Sequence, residues 1–348
     1  MASNERPGVF TSYEVNSALT GSGLGNAVGL VAMTGTANAA ASVTVSSYAD
    51  AASKFGVGSN ATELTRLLLL NGAPVIIALT VKNGATTTDY TDAFNTLKND
   101  ENIRILVCDS HSTAVHAAML ESISTAPENC KHRIGVVGSA STVQQLKAIA
   151  MDLNSERMLI VSPVASVNGT DGIAGSTAAA LAGVIAAGND PALPLNGAEL
   201  YGLGGLSRNY SDSDIDALVL AGVTPLETVG GRVSVVRGIT SRSRTGGVTD
   251  ATWRELTTTL ILDDVITTVR NSLRTRFTRA KNTVQTRGAI RTQVIIELES
   301  KLTREIIDSY GAVTVTPSDS DPTVCEVSFE FAVAHGLNRI YLTAHITV

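Results

Sequence analysis

Between residues 103 and 187 the sequence alternates two kinds of segment, and this rhythm limits the fold more than any other feature. Residues 103–108, 133–137 and 158–162 are short apolar runs rich in Val, Ile and Leu. Each is followed by a longer segment with helical spacing, at 113–124, 142–153 and 173–187. Short apolar strands alternating with longer helices predict a parallel sheet covered on both faces. A less regular version of the same pattern comes first. Residues 27–33 and 75–81 read as buried strands and 43–45 as a short one. Ser47 caps a helix ending near Phe55, and a second helix runs from Asn60 or Thr62 to Leu70, where Gly72 and Pro74 stop it. A further helix is expected at 91–99.

Beyond residue 187 the pattern changes. Residues 191–207 form a Gly- and Pro-rich loop, 212–221 a short helix, and 224–229 with 232–239 a hairpin turned by Gly230 and Gly231. Two helices are then expected. The first, at 252–282, carries the stripe Leu262, Ile266, Val269, Leu273 and Phe277. The second, at 289–310, carries Ile290, Val294, Leu298, Leu302 and Ile306 and is stopped by Gly311. A β region begins at 313–315 and turns at 317–322. From Cys325 to Val333, apolar residues alternate with polar ones, and the alternation resumes after His335 and Gly336, with Ile340, Leu342, Ala344, Ile346 and Val348 on one face. Period two means a half-buried strand. Such a strand needs an edge to pair with, in its own sheet or in a neighbour's.

These segments group into an N-terminal arm at 1–25, an N-terminal α/β unit at 26–95, a middle α/β domain at 96–229, a C-terminal α+β domain at 230–324 and a C-terminal strand or arm at 325–348. Charge follows the same division. Residues 1–231 carry 11 basic and 20 acidic side chains, residues 232–304 carry 14 and 6, and residues 305–348 carry 1 and 6. The net charge of −6 therefore conceals a basic C-terminal surface facing something acidic. Arg270, Arg274, Arg276, Arg279 and Lys281 gather late in the first long helix, where they suit its dipole.

Little in the sequence points to chemistry. Cys108, Cys130 and Cys325 have neither metal nor redox spacing and read as reduced structural thiols. The five histidines contain no i,i+4 pair, so no metal site is expected, and no cofactor motif is present. Gly169, Gly172 and Gly175 fit a turn and close helix packing, not a phosphate loop. There is no charged-then-apolar leader and no apolar run of the ~18 residues needed to span a membrane, so synthesis in the cytoplasm is expected. Asp109, Ser110 and His111 lie where a parallel strand ends, and Ser176 opens a helix. Asp109, His111 and Ser176 together would be the triad of an α/β hydrolase. A triad needs its histidine held between the acid and the serine, and a two-residue separation of acid and histidine works against that. A third reading, nucleic-acid binding by the basic helix, lacks interleaved aromatics and sits in an acidic chain. An acidic protein partner suits the helix better.

Read in order, several motifs resemble the tail sheath proteins of contractile phage tails and phage-like bacteriocins. They begin with Arg6-Pro7-Gly8-Val9-Phe10, then Gly29-Leu30-Val31-Ala32-Met33-Thr34-Gly35-Thr36-Ala37 with Phe55-Gly56 downstream, and Asn71-Gly72-Ala73-Pro74-Val75. Ala182-Gly183-Val184-Ile185-Ala186 and Pro194-Leu195-Asn196-Gly197 follow. The set closes with Arg232-Val233-Ser234-Val235-Val236-Arg237-Gly238-Ile239-Thr240 and Leu337-Asn338-Arg339-Ile340-Tyr341-Leu342. The resemblance implies a middle domain of subtilisin-like but non-catalytic fold. It implies an α+β domain formed by the N-terminal and C-terminal parts, and extended terminal arms. It implies a structural protein without cofactor or enzyme activity, assembled as a helical homopolymer of hexameric rings around a tail tube protein. Baseplate and tail-terminator proteins would be further partners, with no nucleic acid and no membrane insertion. The protein would be made in the bacterial cytoplasm and built into a virion or phage-like particle. Arm residues Pro7, Gly8, Val9, Phe10 and Tyr13, and strand residues Leu337, Ile340, Leu342, Ile346 and Val348, would reach neighbouring subunits. Arg270, Arg274, Arg279 and Lys281 would face the tube.

Overall fold

The structure is a computed structural model that describes residues 27–35, 37–127, 132–167, 170–338 and 341–343. Its first strand, β1 (Ala27–Met33), is buried along nearly its whole length. Its sequence shows no alternation because both faces are covered and both edges are paired. β2 (Val43–Val45) leads into α1 (Tyr48–Phe55), where Ser47 accepts a hydrogen bond from the Asp50 N–H. α2 (Asn60–Leu70) is capped by Ser59, one residue before the expected start, and β3 (Ile76–Val81) follows. α3 (Thr87–Leu97) begins four residues earlier than the 91–99 expected, because Thr86 and Asp89 form a reciprocal capping box.

The alternation then runs as expected. β4 (Ile103–Cys108), α4 (Thr113–Ser124), β5 (Ile134–Gly138), α5 (Val143–Leu153) and β6 (Met158–Ser162) follow one another, with Thr142 and Gln145 boxing the start of α5. A small ribbon of β7 (Ser166–Val167) and β8 (Thr170–Asp171) precedes α6 (Ser176–Ala187). α6 starts at Gly175, whose φ is 82°, and a Cβ there would lie 2.3 Å from the Cys108 carbonyl oxygen. Only glycine lets the helix meet the end of β4 so closely. β9 (Glu199–Leu200), α7 (Asp212–Ala221), β10 (Thr224–Val229) and β11 (Arg232–Val235) complete this part.

All but the two small strands join one nine-stranded sheet in the order β2-β3-β1-β4-β5-β6-β10-β11-β9. β1 runs parallel to both neighbours, so that Val28 faces Ile76 on one side and Ile105 on the other. Residues 27–81 thus add three strands to the sheet of the middle unit, and the sheet runs unbroken across the boundary expected at residue 95. It also crosses the boundary expected at Val229. β10 pairs parallel with β6 and antiparallel with β11, through Gly230 and Gly231 at positive φ. Helices cover both faces. One core holds Leu64, Leu67 and Leu68 of α2 and Ala178 to Ala182 of α6; the other holds Phe94 of α3, Met119 of α4, Leu146 of α5 and Leu218 of α7.

The remainder is a smaller α+β unit. After the ribbon β12 (Arg244–Thr245) and β13 (Val248–Thr249), α8 (Leu256–Phe277) packs against α9 (Val284–Thr303). Both helices differ from expectation. α8 stops at Phe277, leaving Arg279 and Lys281 in the turn, and it buries Ile261, Val265 and Val269, whereas Leu262 and Ile266 are half-buried. α9 ends at Thr303, not Tyr310. The Glu305 N–H reaches the Leu302 carbonyl and the Ile306 N–H reaches that of Lys301, with Glu305 left-handed at φ 57°. These two bonds close the helix before Gly311 is reached. The residues beyond become strand β14 (Ile307–Tyr310). β15 (Thr314–Pro317) pairs with β16 (Cys325–Ser328), and β14 with β17 (Phe331–Val333). The single strand expected from 325 to 333 is therefore two, parted at Phe329 and Glu330, and both pair within their own chain. A third core, built on Val265, Val294, Leu298 and Ile306, holds this unit together.

Candidate assembly surfaces

The carboxyl ends of the strands are the place to look for a reaction centre in such a sheet. Asp109 is buried there, and structural partners occupy it. Its Oδ2 accepts from the Met33 N–H at 2.8 Å and from Asn60 Nδ2 at 2.7 Å, and its Oδ1 accepts from Tyr90 Oη at 2.5 Å. Burial beside this carboxylate pushes the Tyr90 phenol well above its ordinary range, and burial pushes the Cys108 thiol up to about 12. Ser176 donates to the Ile173 carbonyl at 2.6 Å. His111 has a buried Nε2 with no hydrogen-bond partner among the described residues, and burial lowers its pKa. No hydrogen bond links Asp109, His111 and Ser176, so the three do not form the relay a hydrolase needs. Deeper in, His116 Nε2 lies 2.8 Å from the Ser110 carbonyl oxygen and so carries the proton. Burial depresses this imidazole to about 4.

The basic end of α8 divides in two. Arg270 is half-buried and turned inward, with Nη1 3.1 Å from His132 Nε2. His132 Nδ1 lies 3.0 Å from Asp263 Oδ1, and Arg157 grips the same carboxylate with both terminal nitrogens. This cluster joins α8 to the starts of β5 and β6. Arg274, Arg279 and Lys281 are exposed, as is Arg276 beside them.

The third surface is made of unpaired edges. β14 pairs only with β17, and β15 only with β16, among the described residues. Each ribbon therefore presents free main-chain donors and acceptors along its outer sides. Sequence reasoning missed β14 because the period of α9 continues through Ile306. Leu337 is 70% exposed and Leu342 is 91% exposed, and neither belongs to a strand. Ile340, Ile346 and Val348 lie outside the described residues, as do Pro7, Gly8, Val9, Phe10 and Tyr13. Among the described residues, no group of three His, Cys, Asp or Glu side chains is placed to hold a metal, and no helix is long and apolar enough to cross a membrane.

Residues 83–241 match the phage tail sheath protein central domain, and residues 248–347 match the phage tail sheath C-terminal domain. The chain belongs to the phage tail sheath family. The gap between the two matches, 242–247, holds β12 and lies after the β10–β11 hairpin has joined the large sheet. The tail sheath protein of Bacillus phage SP01 is 29% identical to this sheath chain over 273 residues, 75% of this chain. The chain spans 45% of the length of that relative. Among solved structures, the fold is similar to the contracted helical sheath of the anti-feeding prophage, with a TM-score of 0.75, 15% identity and 99% of both chains covered. It is also similar to a sheath tail protein from Desulfitobacterium hafniense, with a TM-score of 0.70 and 12% identity over 94% of this chain and 100% of that one.

Proposed function

We propose that this sheath chain is the structural subunit of a contractile sleeve. Many copies polymerise as stacked hexameric rings around a tail tube, and contraction of the sleeve drives the tube through a cell envelope. The observation that carries this reading is the pair of family matches, central domain then C-terminal domain, on a fold shared along 99% of its length with a contracted helical sheath. Unpaired edges on β14 and β15 suit the role, because an extended segment from a neighbour can add to them through main-chain hydrogen bonds. The donors of such segments would be Pro7 to Phe10 and Tyr13 at one end, and Leu337, Ile340, Leu342, Ile346 and Val348 at the other. Arg274, Arg279 and Lys281, with Arg276, would meet an acidic tube. Exposed ion pairs are worth roughly 0–1 kcal/mol each, weak enough to release when the sleeve moves. Arg270 would support that surface from behind. Baseplate and terminator proteins would cap the polymer. The subunit would be made in the bacterial cytoplasm, take no part in catalysis, bind no nucleic acid and insert in no membrane.

Electron microscopy of the purified chain, alone and with tube protein, tests the proposal. Rings or tubular sleeves are the expected outcome, more regular in the presence of tube. A chain that stays monomeric with the tube at high concentration would overturn it.

A further inference from the structure

The C-terminal segment leaves one unit of the fold and is caught by another. Its last main-chain bond to the smaller unit runs from the Ala334 N–H to the Ile306 carbonyl. Two residues later it lies on the loop between α6 and β9. A Cβ built on Gly336 would stand 2.9 Å from Pro194 Cγ and 3.1 Å from Pro194 Cβ, so the backbone rests directly on the proline ring. Asn196 Nδ2 then donates to Asn338 Oδ1 at 2.8 Å. Beyond this point Leu342 is almost wholly exposed.

The loop itself is anchored to the nine-stranded sheet. The Gly197 N–H donates to the Val235 carbonyl at 2.8 Å, and the Val235 N–H returns a bond to the Ala198 carbonyl at 3.0 Å. Leu195 packs against Gly238, where a Cβ would lie 3.0 Å from its Cδ1. Proline also fixes its own φ, so the surface under Gly336 is stiff.

We propose that the 194–196 loop is a guide for the C-terminal segment. It sets the direction in which the chain leaves at Asn338 and refers that direction to the large sheet as well as to the β14–β17 ribbon from which the segment emerges. Any rotation of the large unit then re-aims the segment. In a polymer whose segment joins a neighbour, which is the reading above, the guide couples subunit orientation to the link between subunits. Among the described residues the contact is a glycine-on-proline seat and an amide–amide hydrogen bond, so it yields before the fold does.

The test is made on the dissolved full-length chain. Spin labels carried by non-canonical residues at positions 201 and 342 report the distance between the large unit and the segment. The unchanged guide should give a narrow distance distribution. Asn196→Ala combined with Gly336→Val removes the amide and forces a side chain against Pro194. This variant should widen the distribution at least twofold while melting at the same temperature. Asn338→Ala, which removes only the hydrogen bond, should give an intermediate width. Equal widths in all three chains would overturn the guide. The measurement needs no polymer, so a chain that holds a narrow distribution yet never forms sleeves would refute the assembly reading alone.

Discussion

Two side chains carry measurable consequences on their own. His116 is neutral in the fold, with a pKa of about 4 against an ordinary value near 6.5. Between those values the unfolded chain takes up a proton that the folded chain does not. Stability from this group is therefore complete above pH ~6.5 and falls as pH drops towards 4, by about 3 kcal/mol in all. Urea unfolding at pH 7.5 and at pH 4.5 should show this loss. In His116→Gln, which can still donate to the Ser110 carbonyl, the acid loss should shrink by most of that amount. His111, also depressed by burial, accounts for part of any remainder. Glu305 is the second case. It holds a left-handed conformation that glycine adopts freely, and its side chain is exposed. Glu305→Gly should stabilise the chain by about 0.5–1 kcal/mol, seen as a higher melting temperature. Neither feature was legible from sequence. A Glu gives no sign of closing a helix. The position of His116 within a helix does not reveal a carbonyl from Ser110, reached across the turn that starts that helix.

At the scale of elements, what was legible and what was not follow a physical division. β1, β4, β6, α4 and α5 stand within a residue or so of where apolar runs and helical spacing place them, because local periodicity decides a buried strand or a helix packed on one face. β14 and the break at Phe329 were hidden. Both depend on which strands become partners across the chain, and periodicity cannot say that. The exposed basic residues were legible as a cluster, but Arg270 was not separable from them until His132, itself bound to Asp263, was seen against it. The ion pairs of Asp263 with Arg157 and His132 give α8 a polar hold on the large unit. Asp263→Ala would leave Arg157 half-buried without its carboxylate, and the full chain should lose about 2–3 kcal/mol. Hydrogen exchange should then quicken in α8 while β4, β5 and β6 stay protected. Uniform quickening everywhere would mean that the two units unfold as one.

At the scale of the whole molecule, the two ends of the chain are where legibility was lowest. A period-two pattern fixes that residues 337–348 are suited to a strand, and it does not name the partner. Within one chain Leu337 and Leu342 are exposed, which is what a strand awaiting another molecule would leave behind. Removal of residues 337–348 should preserve the far-UV spectrum and the melting temperature of the subunit, and abolish polymerisation. Sleeves of normal length from the shortened chain would assign the linking role elsewhere. The Asp109, His111 and Ser176 set shows the reverse situation. Its residue types were plain in the sequence, and only the hydrogen bonds reveal that Asp109 is committed to β1, α2 and α3 and Ser176 to the turn that opens α6, with no bond from either to His111.

The place of β1 has a consequence for how the subunit is made. The strand nearest the start of the described chain lies third in the sheet, between β3 and β4. On a ribosome, its two neighbours have both been synthesised once Cys108 emerges, and the central strands can pair while the rest is still being translated. Growth then proceeds outward on one side, through β5 and β6 to the β10–β11 hairpin. The β14–β17 and β15–β16 ribbons are made after it. A nascent chain therefore offers the unpaired edges of β14 and β15 only after the strands of the large sheet have been made, which shortens the time in which those edges stand beside an unfinished interior.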